Sequence, residues 1–391
     1  MSGNEIIGKE EFRELKKIFT KSGGVLFAHG FEKRRKNIFR TKIFENKFAK
    51  KVGAKFSVCC SSGTAACTIA LTALGVKRGD EVITQAFTFI ATVESILMIG
   101  AKPIIADTDS SLNMCPIDLK KKITKKTKCI IPVHMLGQSC EMDKISKISK
   151  KNNIPVIEDA CEALGAKYKK KYLGTISEIG FFSFDFGKII TTGEGGMLTT
   201  NNEKIYTLLK ALRDHGHENK KDIHRGVDKA LLPGFNFRMT ELQAAVGIAQ
   251  INKLDKILRL KKNNFLKIKK GIIDQNKNIQ FRINHKNSTD QYDVMCIYFK
   301  DKKTAIKIFN KFKKQGISTS ILPLARKWHF AGEWKHIWKN DSYYKNSFSK
   351  NWIECKNLLD RTVSIPISIL ETKKTLNTKL KVINNILSII S

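Results

Sequence analysis

One lysine in this chain stands in a setting that suits covalent chemistry. Lys188 follows an aromatic run at residues 181–184 (FFSF), and glycines flank it at Gly187 and within residues 193–196 (GEGG). A lysine in such apolar surroundings can be desolvated, which lowers the pKa of its amine and lets it form an imine with an aldehyde. Most lysines of a lysine-rich chain are solvated surface residues, and its context separates Lys188 from them. We therefore expect Lys188 to react with a carbonyl group.

A second candidate is a turn of small residues at 61–66 (SSGTAA), between a predicted strand and a predicted helix. Small side chains let backbone amides approach an anion, and a helix N-terminus adds partial positive charge. The turn could therefore hold a phosphate. Taken alone, such a pattern is more often an ordinary turn.

A third candidate is the acidic segment at residues 156–162 (VIEDACE), which contains Glu158 and Asp159. The carboxyl end of a buried strand is where open α/β sheets bind ligands. A carboxylate there needs a cation, a hydrogen-bond donor or water as its partner, and a protonated pyridine nitrogen is one such cation. The alternative is an aspartate that caps a helix.

The elements that must position these residues alternate between strands and helices. Strands are predicted at 55–60, 81–84, 103–106, 129–133, 155–158, 180–184 and 197–200, and helices at 64–74, 90–99, 143–150 and 241–260. This order predicts an α/β fold with a mostly parallel sheet, which becomes mixed where the last two strands follow each other without a helix. Beyond residue 262, a strand at 294–299 and helices at 303–314 and near 380–390 predict a smaller α+β domain.

Taken together and in this order, the three motifs resemble the DegT/DnrJ/EryC1/StrS family of sugar aminotransferases. The resemblance is dense from about residue 44 to 254 and includes further blocks at 79–82 (GDEV), 87–92 (FTFIAT), 132–137 (PVHMLG) and 234–238 (GFNFR). It implies a fold-type-I transferase, like aspartate aminotransferase, with a seven-stranded mixed sheet. The large domain would span residues 1–261 and the smaller C-terminal domain residues 262–391. The implied cofactor is pyridoxal 5′-phosphate (PLP).

The resemblance also assigns roles to individual residues. Lys188 matches the lysine that holds PLP as a Schiff base, Asp159 matches the carboxylate that pairs with the ring nitrogen, and Phe89 matches the aromatic residue that stacks on the ring. The positions that match the phosphate site are Gly63, Thr64 and Ser183, with Asn236 reaching in from the neighbouring subunit.

Two positions depart from the commonest family pattern. Glu162 stands where many members have Gln near the cofactor's phenolic oxygen, and Leu164 stands where many have His. Members that resemble perosamine synthases also carry Glu, so the difference bears on the substrate and leaves the cofactor assignment intact. In the family's dehydratases His replaces the lysine, and Lys188 argues against that branch.

The resemblance implies a homodimer with shared active sites that transfers an amino group, from L-glutamate, to a keto-sugar of a cell-surface polysaccharide or lipopolysaccharide. A nucleotide-linked 4-keto-6-deoxy sugar and an 8-keto acid of the Kdo type both remain open as substrates. A second enzyme class, PLP-dependent sugar dehydration, is an alternative. A non-enzymatic regulatory or nucleic-acid-binding protein on the same fold is another.

Composition limits the other classes of partner. The net charge of +35 would suit a polyanion, but the excess is lysine spread along all 391 residues, so we expect no nucleic-acid partner. The nine cysteines include no C-x-x-C pair, and no histidines stand at zinc spacing, so we expect reduced thiols and no metal. Without a signal peptide or a long apolar stretch, we expect a cytoplasmic protein with no membrane insertion.

Three further features have two interpretations each. His134 and His215 lie in blocks shared with the family and are either functional or simply packed. The aromatic cluster at residues 328–330 (WHF), with Trp334, His336 and Trp338, lines either a sugar or nucleotide site or a small core of the second domain.

Overall fold

A computed structural model describes residues 3–219, 223, 226–339 and 351–390 of the chain. Its strands are β1 (Phe56–Cys60), β2 (Glu81–Gln85), β3 (Lys102–Ala106), β4 (Thr127–Ile130), β5 (Ile157–Asp159), β6 (Lys167–Tyr168), β7 (Lys171–Tyr172), β8 (Ile179–Ser183), β9 (Gly196–Thr200), β10 (Gln280–Phe281), β11 (Ser288–Thr289), β12 (Val294–Tyr298) and β13 (Thr362–Pro366). Its helices are α1 (Lys9–Lys21), α2 (Arg40–Val52), α3 (Gly63–Ala73), α4 (Ala91–Met98), α5 (Pro116–Lys122), α6 (Met142–Asn152), α7 (Glu203–Arg213), α8 (Glu241–Gln275), α9 (Lys302–Lys314), α10 (Arg326–His329), α11 (Lys335–Trp338), α12 (Ile353–Asp360) and α13 (Lys373–Leu387).

A central sheet carries the functional residues. A four-stranded sheet (β1-β9-β8-β5) and a three-stranded sheet (β3-β2-β4) are joined by parallel bridges from Ile130 to Val156 and from Val133 to Asp159. Within the described residues this makes one seven-stranded sheet, in which only β9 runs antiparallel to its neighbours. The predicted mixed and mostly parallel sheet is confirmed, and the antiparallel strand lies where no helix separates β8 from β9.

Apolar residues of the strands point alternately to the two faces of this sheet, as the strand period of two requires. Val58 and Phe181 join one hydrophobic cluster, whereas their neighbours Cys59 and Phe182 join the cluster on the other face. A third cluster in the C-terminal part is built from residues such as Ile268, Met295, Phe312 and Val363. Helices and strands on both faces therefore bury the sheet and leave its carboxyl edge to form a site.

Helix α8 is longer than predicted. Its N-terminus has a capping box, in which the Thr240 hydroxyl accepts a hydrogen bond from the Gln243 amide. The helix continues to Gln275, so the predicted end at residue 260 was wrong. Its second half keeps an apolar face at Phe265, Ile268 and Ile272, which packs into the third cluster. The division into domains at residues 261 and 262 falls inside this helix and remains our proposal, supported by the separate third cluster.

The aromatic cluster of the C-terminal part is divided between two environments. Phe330, Trp334 and Trp338 are buried in the first cluster, with residues of the large sheet's helices, and so do not form a core of the second domain. Trp328 is 58% exposed, and His336 is also exposed. The backbone of residues 328–331 runs beside residues 86–90, so one end of the cluster reaches the edge where the site lies.

No helix in the described part of the chain is long and apolar enough to cross a membrane. All nine cysteines are free thiols, and no group of three potential metal ligands occurs among the described residues.

Candidate active site

Lys188 lies in the loop that joins β8 to β9. Its amide donates a hydrogen bond of 2.9 Å to the Asp185 carbonyl, and the Asp185 carboxylate accepts one of 2.9 Å from the Gly187 amide. The Lys188 carbonyl accepts a 3.0 Å hydrogen bond from the Gly3 amide, so the N-terminal segment supports the loop. The Lys188 side chain is 16% exposed, and its Nζ lies 3.6 Å from Oε1 of Glu162.

The electrostatic setting of Lys188 differs from the predicted one. Burial lowers the pKa of Lys188, but the negative charges of neighbours, Glu162 above all, outweigh it and raise that pKa above its usual value. The expected lowering of the pKa is therefore wrong for the chain by itself, because the neighbouring carboxylates, with Glu162 3.6 Å away, favour the ammonium form more than burial disfavours it. The loop sequence shows the aromatic surroundings but not the carboxylates that fold against them.

Asp159 ends β5 and is 5% exposed. Its Oδ2 accepts a 2.9 Å hydrogen bond from the Thr92 hydroxyl, and its Oδ1 accepts one of 3.1 Å from the Cys161 amide. Burial raises the pKa of Asp159, and these hydrogen bonds only partly counteract it. No helix starts at this point of the described chain, which removes the helix-cap interpretation. A buried carboxylate whose hydrogen-bond donors are neutral suits a cationic ligand.

Glu162 lies between Lys188 and a strained turn. Its Oε2 accepts a 3.0 Å hydrogen bond from the amide of Leu136, a residue with the left-handed φ of 52°. Burial would raise the pKa of Glu162, but the charges of Lys188 and His329 and the Leu136 amide bring it below its usual value. Glu162 therefore stays a carboxylate beside the lysine. The lowered pKa of Glu162 and the raised pKa of Lys188 both correspond to an ion pair.

The turn of small residues begins α3. The Ser62 hydroxyl accepts a 3.0 Å hydrogen bond from the Ala65 amide and so caps the helix. Gly63 follows it, and a Cβ atom built at this position would lie 2.9 Å from Cβ of Ser183 and 3.2 Å from Sγ of Cys161. Thr64 is half-buried at the same helix N-terminus. The packing at Gly63 admits no side chain, and the helix end offers free amides to an anion.

Phe89 and His329 form another wall. The Phe89 ring is 44% exposed, and its centroid lies 5.3 Å from that of His329 and 6.4 Å from that of Trp328. The amides of Thr88 and Ile90 donate to the carbonyls of His329 and Trp328 at 3.1 and 2.9 Å. His329 interacts electrostatically with Glu162 and Lys188, and burial lowers its pKa. We did not predict His329 as a site residue, although it lies in the aromatic segment that the sequence singled out.

His134 is a packed histidine. It is fully buried, its Nε2 lies 3.2 Å from Oε2 of Glu158, and its Nδ1 accepts a 3.1 Å hydrogen bond from the Cys140 amide. Both ring nitrogens are thus engaged, so His134 supports the loop after β4. Glu158 also accepts hydrogen bonds from three backbone amides, which makes it structural.

Asn236 and His215 lie on neighbouring segments at the surface. Asn236 forms an isolated bridge with Asp214, the residue before His215, and both Asn236 and His215 are exposed. Their predicted functions remain predictions. An exposed Asn236 is compatible with a residue that serves a neighbouring subunit.

The residues present fit PLP. An amine at Lys188 can take the aldehyde, and the buried Asp159 can take the ring nitrogen. The N-terminus of α3, where Ser62 caps the helix and Gly63 packs against Ser183, can take the phosphate. The exposed face of Phe89 can stack on a flat ring.

Known proteins with similar sequences and structures agree with this fit. A GDP-perosamine synthase of Caulobacter vibrioides is 42% identical over 216 residues, which are 55% of this chain and 57% of that enzyme. An aminotransferase from Psychrobacter cryohalolentis superposes with a TM-score of 0.85 at 25% identity and covers 98% of both chains. A structure from Streptococcus pneumoniae described as a putative sugar aminotransferase, in its PLP form, has a TM-score of 0.82 at 22% identity, and the match covers 99% of this chain and 98% of that one.

The family profile described as the DegT/DnrJ/EryC1/StrS aminotransferase family matches residues 36–380. Aminotransferases of this family use PLP, so the predicted cofactor is confirmed, and the superpositions confirm the predicted fold type I. The predicted enzyme class, transamination, is confirmed as that of the family. With the lysine, the buried aspartate and the glycine-lined helix end in one site, the chain belongs to the DegT/DnrJ/EryC1/StrS aminotransferase family.

Proposed function

We propose that this chain transfers an amino group to a nucleotide-linked keto-sugar, with PLP bound at Lys188. The observation that carries the proposal is the convergence of three groups: the Lys188 amine, the Glu162 carboxylate 3.6 Å from it, and the buried Asp159 carboxylate. An amine that alternates between bound and free states needs a neighbouring base or acid that controls its proton.

The proposed roles follow from the positions of the side chains. Lys188 binds the aldehyde, Asp159 pairs with the ring nitrogen, and Phe89 covers one face of the ring. Gly63, Thr64 and Ser183 surround the phosphate. PLP, when bound, supplies an electron sink for the carbon that loses its proton.

Proton transfer falls to Lys188 and Glu162. Once the amino donor has released it, the Lys188 Nζ accepts the α-proton of the donor and later returns a proton to the product. Glu162 stabilises the ammonium form between these events and is held in place by the Leu136 amide. Because the keto acid formed from the donor leaves before the sugar binds, the kinetics should be ping-pong.

The substrate class rests on the relatives and on the exposed aromatic surface. The relative from Caulobacter vibrioides is named for a GDP-linked amino sugar. Trp328 and Phe89 offer partly exposed rings beside the site, and sugar rings and bases both stack on such surfaces. We propose L-glutamate as the donor and a cell-surface polysaccharide as the destination. An 8-keto acid of the Kdo type stays as the second candidate substrate.

We further propose a homodimer in which Asn236 completes the phosphate site of the other subunit. Its exposure and its place beside Asp214 support this proposal. Sugar dehydration is the second enzymatic candidate, and the lysine at position 188 favours amino transfer over it.

The test is to incubate the purified full-length chain with L-glutamate and a panel of keto-sugars, both nucleotide-linked and free. We expect one nucleotide-linked substrate to gain an amino group by mass, together with stoichiometric 2-oxoglutarate. Lys188→Ala is the matched control and should form no product. Loss of a hydroxyl group without use of glutamate would identify a dehydratase instead.

A further inference from the structure

Arg282 connects the C-terminal part of the chain to the active-site edge of the sheet. It follows β10, and its amide donates to the Cys296 carbonyl of β12 at 3.0 Å. Its guanidinium, in a residue 6% exposed, donates to the Ser111 carbonyl at 2.5 Å and to the Met135 carbonyl at 2.8 Å. A buried guanidinium with directed hydrogen bonds fixes the groups it contacts more firmly than a surface ion pair does.

Asn113 extends this contact along the loop after β4, which we call the 133–140 loop. Its Oδ1 accepts hydrogen bonds from Arg282 at 3.2 Å and from the Met135 amide at 3.1 Å. Its Nδ2 donates to the carbonyls of Gln138 and Ser139 at 3.2 and 2.9 Å. Arg282 and Asn113 therefore hold both the amide and the carbonyl of Met135.

The residue after Met135 is the one that contacts Glu162. Leu136 has a left-handed backbone with φ 52° and ψ 35°, a conformation that is strained for a non-glycine residue and persists only where its surroundings enforce it. In that conformation the Leu136 amide donates to Glu162 at 3.0 Å. A fixed Met135 on one side thus orients the carboxylate that faces Lys188.

We infer that Arg282 is a positioning residue for the reaction: through Met135 and Leu136 it holds the Glu162 carboxylate against Lys188, and so couples the C-terminal part of the chain to the reacting amine. The inference deepens the proposed function, because that function places the cofactor on Lys188. The directions of the two pKa shifts, up for Lys188 and down for Glu162, support it.

Other contacts keep the loop folded when Arg282 is changed. The Gln291 amide donates to the Gly137 carbonyl at 3.0 Å, and the Gln138 side chain donates to Asp290 at 2.9 Å. These contacts lie beyond Leu136. An Arg282 variant should therefore loosen Met135 and Leu136 without releasing the whole loop.

The first measurement is hydrogen exchange of the full-length chain, read on a peptide that contains the Leu136 amide. In Arg282→Met this amide should exchange about tenfold faster, and Arg282→Lys should restore part of the protection. Arg361→Met is the matched control, because Arg361 donates to the Phe299 carbonyl at 3.3 Å and lies over the Tyr298 ring, and so contacts β12 and its end rather than Met135 or Leu136. This readout does not depend on PLP or on any substrate.

The second measurement is the pH midpoint of the visible absorbance of the PLP-loaded enzyme. With Glu162 released from Lys188, the nitrogen of Lys188 should lose its proton at a pH lower by about one unit.

If Arg282→Met does not fold, Asn113→Ser removes one support of Met135 and should produce the same two changes in weaker form. The inference fails if Arg282→Met leaves both the exchange at Leu136 and the pH midpoint unchanged and loses only as much thermal stability as Arg361→Met. Arg282 would then only join the two parts of the chain. If no keto-sugar is aminated but both changes appear, the proposed function fails and the positioning role stands.

Discussion

Glu162, which is buried, and Lys188, which is 16% exposed, form an ion pair with 3.6 Å between Oε1 and Nζ at the carboxyl edge of the central sheet. The other oxygen of Glu162 is occupied by the Leu136 amide, so the carboxylate has one orientation available towards the lysine. The pair explains why the pKa of Lys188 is raised in a place where burial alone would lower it. The protonation of the amine is therefore set by a neighbour, and changing that neighbour should change it.

Glu162→Gln should lower the pKa of Lys188, because the amide keeps the shape of the side chain but removes the negative charge that favours the ammonium form. The measurement is competitive acylation of Lys188 against pH in the chain freed of PLP. Asp185→Asn is the control, since Asp185 contributes least among the named negative neighbours of Lys188 and should give a smaller shift. An unchanged titration of Lys188 in Glu162→Gln would contradict the ion pair.

Lys188 should be the point of cofactor attachment. The purified chain should be yellow, and borohydride should abolish its visible absorbance and leave the cofactor fixed to one peptide. We expect mass spectrometry to place it at Lys188, and Lys188→Ala to take up no label. A label on any other lysine would rule out the assignment.

Asp159→Asn should reduce turnover by at least about a hundredfold, because it removes a preorganised charge from the partner of the ring nitrogen. Thr92→Val removes the 2.9 Å hydrogen bond to Asp159 and the 3.0 Å hydrogen bond with the Thr88 hydroxyl but keeps the charge of Asp159. It is the matched control and should reduce turnover by about tenfold or less. Turnover is measured under saturating donor and substrate. Near-normal turnover in Asp159→Asn would mean that the carboxylate is structural.

Asn236 should act across the subunit interface. Lys188→Ala and an Asn236→Ala variant should each be inactive alone, and mixing them should recover up to about a quarter of wild-type activity. The recovery comes from heterodimers in which one site has wild-type Lys188 from one chain and wild-type Asn236 from the other. Subunit exchange is verified separately with tagged chains. Proven exchange without recovery would place Asn236 within its own site or in a purely structural role.

Asp290→Asn should change the pH dependence of stability. Burial raises the pKa of Asp290 to about 6, against an ordinary value of 3.8, so the folded chain keeps this proton to a higher pH than the unfolded chain does. The stability that depends on this proton is therefore lost as the pH rises from about 4 to about 6. Asparagine has no proton to lose, and Oε1 of Gln138, which is buried without a hydrogen-bond partner among the described residues, could accept from its amide.

The free energy of unfolding of Asp290→Asn, minus that of wild type, should thus increase by about 2 kcal/mol between pH 4 and pH 7. Urea unfolding at a series of pH values measures it. Asp301→Asn is the control, because Asp301 is an exposed helix cap whose pKa is lowered by the Thr304 amide, which predicts a trend of opposite sign. Parallel stability profiles for wild type and Asp290→Asn would show that Asp290 does not titrate in this range.

The local features of this protein could be predicted from its sequence. The strands of the central sheet were predicted to within about three residues, since short apolar runs between helical segments reflect a buried sheet directly. Lys188, Asp159 and Gly63 could be singled out because each follows a strand, and the ends of neighbouring strands in such a sheet meet at one edge. The resemblance of ordered motifs then supplied the family and the cofactor.

Tertiary structure decided what depends on residues far apart in the chain. The pKa of Lys188 moves up because Glu162 folds against it, and Glu162 is oriented by Leu136, which Arg282 supports from more than a hundred residues away. Trp334 packs into the core of the large sheet although it lies in the C-terminal part, and His329 reaches Phe89 for the same reason. Burial, charge proximity and backbone strain at a contact depend on distances in space. Hydrophobic period and turn chemistry act between near neighbours in sequence, so they specify the elements but leave those distances to the packing.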